Sequence, residues 1–185
     1  MVNVLVPLAQ GCEEIEAVTI IDILRRAGIS VVSAGLDDQP IVAARGTRLL
    51  ADTTLDKALQ QDFDMVVLPG GQPGTDNLNG DPRISELLKK MANSGKFTAA
   101  ICAAPSVLAK AGLLNGKQAT AYPGVLERMQ LQDTILKDQA VVRDGKVLTS
   151  RGPGTAMDFA LELIDVLVGK ERRNQVEAGL QRPAR

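Results

Sequence analysis

The fold of this chain is most constrained by the way short, wholly apolar runs alternate with segments of helical period. Residues 3–8, 29–34, 65–68 and 97–101 read as buried strands, and residues 13–27, 81–94, 103–111 and 155–168 as helices. A strand with one face in water would alternate apolar and polar side chains. These strands do not, so their sheet is covered on both faces, and the class expected is α/β with a mostly parallel sheet. Ligands of such sheets bind beyond the carboxyl ends of the strands.

Local signals punctuate the pattern. Gly28, Gly112 and Gly169 stop helices, and Asp81-Pro82 opens one with an acidic cap and proline at the first helical position. Asp144-Gly145, between strands at 139–143 and 146–150, is the strongest hairpin signal in the chain. Residues 41–50 read as a short hairpin or strand pair around Arg45-Gly46, and 54–61 as a short helix with Thr54 at its cap. Residues 118–121 suggest a further strand, 125–129 a helical piece, and the polar tail a last helix. No repeat or linker interrupts the sequence, so one domain over residues 1–185 is expected.

The absence of histidine narrows the chemistry. Ser-His and Cys-His triads are excluded, and two lone cysteines cannot build a zinc site without imidazoles. Acid–base work falls to carboxylates, thiols, lysines and Tyr122. A net charge of -1 offers no basic field for nucleic acid, and 2% aromatic residues offer no stacking platform. No run is long enough for a membrane span or a secretory signal, and Cys12 and Cys102 sit on separate segments. A cytoplasmic protein with reduced thiols is expected.

Three strand ends carry unusual residues: Gly11 to Glu16, Gly70-Gly71, and Cys102. Cys102 falls between a strand and a helix opened by Ala103, Ala104 and Pro105, where a helix dipole would lower its pKa and favour thiolate. An inert core cysteine is the plainer alternative. Glu13, Glu14 and Glu16 suit a first helical turn. Glu16, one turn before Ile20, faces the sheet, where burial would raise its pKa. The Gly70-Gly71 loop lacks either phosphate-binding motif. It reads as a positive-φ turn or as an oxyanion hole, one of its amides joining that of Ala103 beside Cys102. Arg151 and Gly152-Pro153-Gly154 follow another strand end close by.

With these residues the sequence resembles the ThiJ/PfpI superfamily, within it the clade of the bacterial YajL proteins and the parkinsonism-associated deglycase/chaperone. The matching segments are Gly11-Cys12-Glu13-Glu14-Ile15-Glu16, Arg25-Arg26-Ala27-Gly28-Ile29, Val67-Leu68-Pro69-Gly70-Gly71, Ala99-Ala100-Ile101-Cys102-Ala103-Ala104 and Leu148-Thr149-Ser150-Arg151-Gly152-Pro153-Gly154-Thr155. The resemblance implies a flavodoxin-like domain of the class I glutamine amidotransferase-like type, and a homodimer. It also implies a nucleophilic, easily oxidised Cys102 partnered by Glu16. Oxyanion or substrate contacts would come from Gly70, Gly71, Ala103, Tyr122 and Arg151. The activity implied is that of a cofactor-independent glyoxalase or deglycase acting on methylglyoxal or glyoxal, free or as early adducts, in the response to carbonyl and oxidative stress. No metal is needed. The alternative is a redox-regulated chaperone for unfolded clients, or a peroxide sensor, reading out Cys102 oxidation. Many relatives place a histidine where Tyr122 stands, and a phenol is a poor base at neutral pH.

Overall fold

The structure, a computed structural model, describes residues 1–182. In chain order it comprises β1 (Asn3–Leu8), α1 (Glu14–Arg26), β2 (Ser30–Gly35), β3 (Ile41–Val42), β4 (Arg48–Leu49), β5 (Thr53–Thr54), α2 (Leu55–Ala58) and β6 (Met65–Leu68). Then follow α3 (Gly74–Gly80), α4 (Pro82–Asn93), β7 (Phe97–Ile101), α5 (Pro105–Lys110), β8 (Gln118–Ala119), β9 (Ile135–Leu136), β10 (Val141–Asp144), β11 (Val147–Ser150), α6 (Ala156–Val168) and α7 (Lys170–Gly179).

Seven strands form one sheet in the order β10-β11-β7-β6-β1-β2-β5. Every neighbouring pair is parallel except β10 and β11, which form the antiparallel hairpin around Asp144-Gly145. This is the doubly wound, mostly parallel α/β architecture expected from the strand pattern, and the flavodoxin-like one that the resemblance implies. Successive residues of β1 serve opposite cores. Val4 and Val6 pack with Ile20 and Leu24 of α1 and Phe159 and Ile164 of α6. Leu5 packs with Leu55, Ile84, Leu88 and Leu108 on the other face. Each such side chain, fully buried, contributes about 1.5–3 kcal/mol through the apolar surface it removes from water.

Asp81 caps α4 by accepting from the Arg83 amide at 3.0 Å, with Pro82 in the first turn. The β3–β4 pair is antiparallel around Arg45-Gly46, and Glu14 holds it against α1 by accepting from the Arg45 and Thr47 amides. Three expectations need adjusting. Thr54 stands at the cap position of α2 but makes no capping bond, and that helix is only four residues long. α5 begins at Pro105 rather than 103, because residues 102–104 form a tight turn in which the Ala104 and Ser106 amides bond to carbonyls three residues back, those of Ile101 and Ala103. The Gly-rich loop after β6 contains a helix, α3, that its polar, glycine-bounded sequence did not announce.

Candidate active site

Adjacent strands β1, β6, β7 and β11 end side by side, and each delivers one part of the site. The Cys102 backbone has φ 64°, a conformation that costs a non-glycine residue on the order of 1–3 kcal/mol. Two hydrogen bonds hold it there. Its N–H donates to the Ser150 carbonyl at 3.0 Å, and its own carbonyl accepts from the Tyr122 N–H at 2.8 Å. Gly70 lets the neighbouring loop come close. A Cβ on Gly70 would stand 2.7 Å from the Cys102 Cβ and 2.8 Å from the Ile101 carbonyl oxygen. Gly71, at φ 92°, is just as constrained, since a Cβ there would lie 2.4 Å from the Glu13 nitrogen.

Glu16 enters from the first turn of α1 and is fully buried. Its Oε2 accepts from the Gly70 N–H at 2.7 Å. Its Oε1 has no hydrogen-bond partner among the described residues, and the carboxyl group also interacts with the Cys102 thiol. Burial pushes Glu16 up to about 7, against the opposing pull of the Gly70 amide and the thiol, while the nearby Glu13 charge adds to the rise. With Glu16 ionised, burial and then the Glu16 charge and hydrogen bond push the Cys102 thiol up to about 12. The amides of Gly71 and Ala103 pull the other way.

The expected lowering of the Cys102 pKa by a helix dipole is therefore reversed. The six-residue α5 starts three positions later, and desolvation beside a carboxylate outweighs the two amides. The pair titrates as a unit. Between its two ionisations it holds one proton, on either oxygen or sulfur. With that proton on Glu16, the repulsion is gone and the two amides face a thiolate.

The remaining residues form a rim. Tyr122 is half exposed, and a Cβ on Gly152 would touch its ring at 3.4 Å. Arg151 does not join the Cys102–Glu16 pair. Its guanidinium meets Asp138, a partner that lies 13 positions earlier in an irregular stretch and that the sequence pattern does not single out. Equally unannounced are the Ser150 carbonyl, which fixes the elbow, and the burial of Glu13, whose Oε1 caps α1. The parallel register that pairs Ile101 with Ser150 is what gives the Ser150 carbonyl this role. Both cysteines are free thiols. Cys12 is buried behind the Gly70-Gly71 loop, and burial, then the Glu14 charge, push it up to about 11. Among the described residues no group of three or more His, Cys, Asp or Glu side chains could hold a metal, and no helix is long and apolar enough to cross a membrane.

Comparison with known proteins assigns the lineage. The chain is 42% identical to the protein dj-1beta of Drosophila melanogaster over 179 residues, 96% of each chain. The crystal structure of Drosophila melanogaster DJ-1beta superposes with a TM-score of 0.94, at 41% identity and covering 99% of each chain. The glutathione-independent glyoxalase DJR-1.2 of Caenorhabditis elegans is 37% identical over 90% of this chain and 89% of that protein. The sequence model of the DJ-1/PfpI family matches residues 2–166, and the chain belongs to that family.

Proposed function

We propose that the protein is a cofactor-independent glyoxalase or deglycase in which Cys102 is the nucleophile and Glu16 the proton carrier. The observation that carries this reading is the pairing of a strained, half-buried cysteine with a fully buried carboxyl group that has no counter-cation among the described residues. One relative's name, glutathione-independent glyoxalase, supports it at family level.

The reaction begins with the proton on Glu16 and the charge on sulfur. The thiolate adds to the aldehyde carbon of methylglyoxal, and Glu16 gives its proton to the resulting oxyanion, completing a hemithioacetal. The Gly71 and Ala103 amides steady the oxygen while it is charged. Glu16, now a carboxylate, removes the proton from the former aldehyde carbon and returns it to the adjacent one, while the hydroxyl proton passes from the first oxygen to the neighbouring ketone oxygen. The first carbon is oxidised and the second reduced, so no external redox partner enters. The product is a thioester of a 2-hydroxy acid, which water hydrolyses to lactate, free thiolate and two protons, one returning to Glu16 and the other passing to solvent. Glyoxal gives glycolate by the same steps, and an early adduct releases its amine as well. Gly70 holds Glu16, and Tyr122 and Arg151 border the approach.

The test is product identification by NMR after incubation with methylglyoxal or a freshly glycated amine, in buffers that do not scavenge dicarbonyls. Lactate formation that falls about a hundredfold or more in Glu16→Gln is expected. A wild type that forms no hydroxy acid ends the proposal.

A second reading draws on the same geometry. A sulfinate at Cys102 would find the two amides and a protonated Glu16 around it, which suits a redox sensor or chaperone. Client holding that survives in Glu16→Gln while turnover disappears would favour it. We also propose a cytoplasmic homodimer. Ile15 and Val18 on α1, Val42 and Leu50 are exposed apolar side chains close to the β3–β4 pair and the first turn of α1. Light scattering at micromolar concentration would reveal a monomer if that is wrong.

A further inference from the structure

We propose that Arg151 is a carboxylate receptor on the rim of the Cys102 site, held ready by Asp138. Its ligand would be a small 2-hydroxy or 2-oxo carboxylate, first of all the acid the reaction releases. The inference rests on the proposed function for the identity of that acid, though not for the existence of the receptor.

Three observations lead to it. The first is position. Ser150 pairs with Ile101 across the parallel β7–β11 register, and its carbonyl accepts the Cys102 N–H. Arg151, the next residue, therefore leaves its strand beside the cysteine leaving the neighbouring one, and adjacent strands are separated by about 4.8 Å. The second is space. Two recesses, of about 320 Å³ and 410 Å³, flank Arg151, which lines both together with Pro123. Tyr122 borders the larger of them, and its amide is the one that holds the Cys102 carbonyl. Each has room for an acid of a few heavy atoms.

The third observation is an asymmetric ion pair. The Arg151 side chain is 34% exposed and the Asp138 side chain 85% exposed. Arginine offers a planar donor fork that matches a carboxylate, and here most of it is out of water and aimed at one. Asp138 sits almost wholly in solvent, so releasing it leaves no buried charge behind. An incoming carboxylate takes the place of one that the protein already presents. Lys137 adds positive charge to the smaller recess and Glu127 offsets it, which leaves Arg151 and Asp138 to set the selectivity. The consequence is product retention: the neutral dicarbonyl offers Arg151 only carbonyl acceptors, whereas the acid formed from it also offers a charge.

The chain has a single tyrosine, and it is Tyr122. Its ring resonances therefore report on the larger recess, which shares Arg151 and Pro123 with the smaller one. Lactate, and lactamide as its neutral counterpart, would be titrated into Cys102→Ser protein, in which no chemistry occurs. Lactate should shift the Tyr122 signals and lactamide should not. Arg151→Gln should weaken lactate about tenfold or more, as expected for loss of a charge-assisted contact, and Arg151→Lys should recover part of it. Asp138→Asn should tighten lactate, because the competitor is gone. In the Cys102 enzyme, the ratio of the lactate inhibition constant to the methylglyoxal KM should rise in Arg151→Gln and fall in Asp138→Asn. Lactate affinity that ignores Arg151→Gln, or that fails to tighten in Asp138→Asn, overturns the receptor. Absence of turnover in wild type would instead overturn the glyoxalase reading, and the titration would still decide this one.

Discussion

Helix α1 places a charged group at each of its ends, and the two fare in opposite ways. From its first turn Glu16 enters the core and meets one amide, one thiol and, among the described residues, no cation. From its last turn Arg25 reaches Asp52, which also accepts from the Ser33 amide at 2.9 Å and the Ser33 hydroxyl at 2.7 Å. Burial pushes both carboxyl groups up. At Asp52 the Ser33 donors and Arg25 outweigh it and leave the group below its usual value, whereas at Glu16 burial wins. A carboxylate that ties structure together is surrounded by donors until it is indifferent to its proton. One that must pass a proton on is left short of them.

The comparison is broken most severely by removing the thiol. Cys102→Ser should reduce turnover by about three orders of magnitude or more, since a hydroxyl without a strong base is a poor nucleophile. Glu16→Gln should lower kcat by about a hundredfold or more through loss of the proton carrier. The same variant should lower the Cys102 pKa below about 12, because the charge and hydrogen bond that raise it are gone. Ultraviolet thiolate absorbance measures that shift, and an unmoved midpoint would mean that Glu16 is not what holds the thiol neutral.

Glu16→Gln also carries a stability signature with a definite sign. The folded protein raises this carboxyl from 4.5 to about 7, so it holds the proton more tightly than the unfolded chain does. The benefit is complete below about pH 4.5 and is lost as pH rises towards 7, above which the ionised group costs stability. Glutamine never ionises. The variant should match wild type at pH 4 and exceed it at pH 8 by on the order of 2–3 kcal/mol. Thermal unfolding at the two pH values checks this, and a stability gap that does not change with pH would contradict it.

These properties differ in how far they could be read from residues alone. The strand at residues 65–68, the Asp81-Pro82 cap and the Asp144-Gly145 hairpin were legible because each is decided by neighbours in sequence. The burial of Glu16 was legible for the same reason, through its helical spacing from Ile20. The direction of the Cys102 pKa was not. It depends on a carboxylate 86 positions away and on a balance between desolvation and two amides that no local rule supplies. Asp138 was hidden because it lies outside any periodic element, and α3 because residues 74–80 show no apolar repeat.

Gly70→Ala probes the close approach that brings loop and elbow together. The added methyl would stand 2.7 Å from the Cys102 Cβ, with backbone atoms of Ile101 and Ala103 nearly as near, so the clash cannot be relieved by a side-chain rotation. A cost of about 1–3 kcal/mol is expected from overpacking. Because the Gly70 amide is also the Glu16 anchor, the apparent pKa governing activity should move with it. Chemical denaturation and a pH–rate profile read the two effects, and an alanine variant with wild-type values in both would show that the loop does not press against the elbow.

The smallest effect sharpens the contrast from its other side. Asp52→Asn keeps the size of the side chain and one carbonyl acceptor, but it removes the charge that Arg25 and the Ser33 donors converge on. The Arg25 and Asp52 side chains are each 46% exposed, so solvent screens much of the pair, and a loss of about 1 kcal/mol at neutral pH is expected. Its pH dependence must run opposite to that of Glu16→Gln. Asp52 has a folded pKa below its ordinary value, so its contribution is present above the unfolded value of about 3.9 and fades as pH falls through the lower, folded one. The gap between wild type and Asp52→Asn should therefore be constant from pH 5 to pH 8 and narrow on further acidification. Over that same upper range the gap for Glu16→Gln should widen in favour of the variant. Denaturation midpoints for both variants across pH 3 to pH 8 would display the two trends together. If Asp52→Asn gained stability with rising pH as Glu16→Gln does, the two carboxyl groups would not be distinguished by their donors, and a shortage of donors could not be what makes the Cys102 corner reactive.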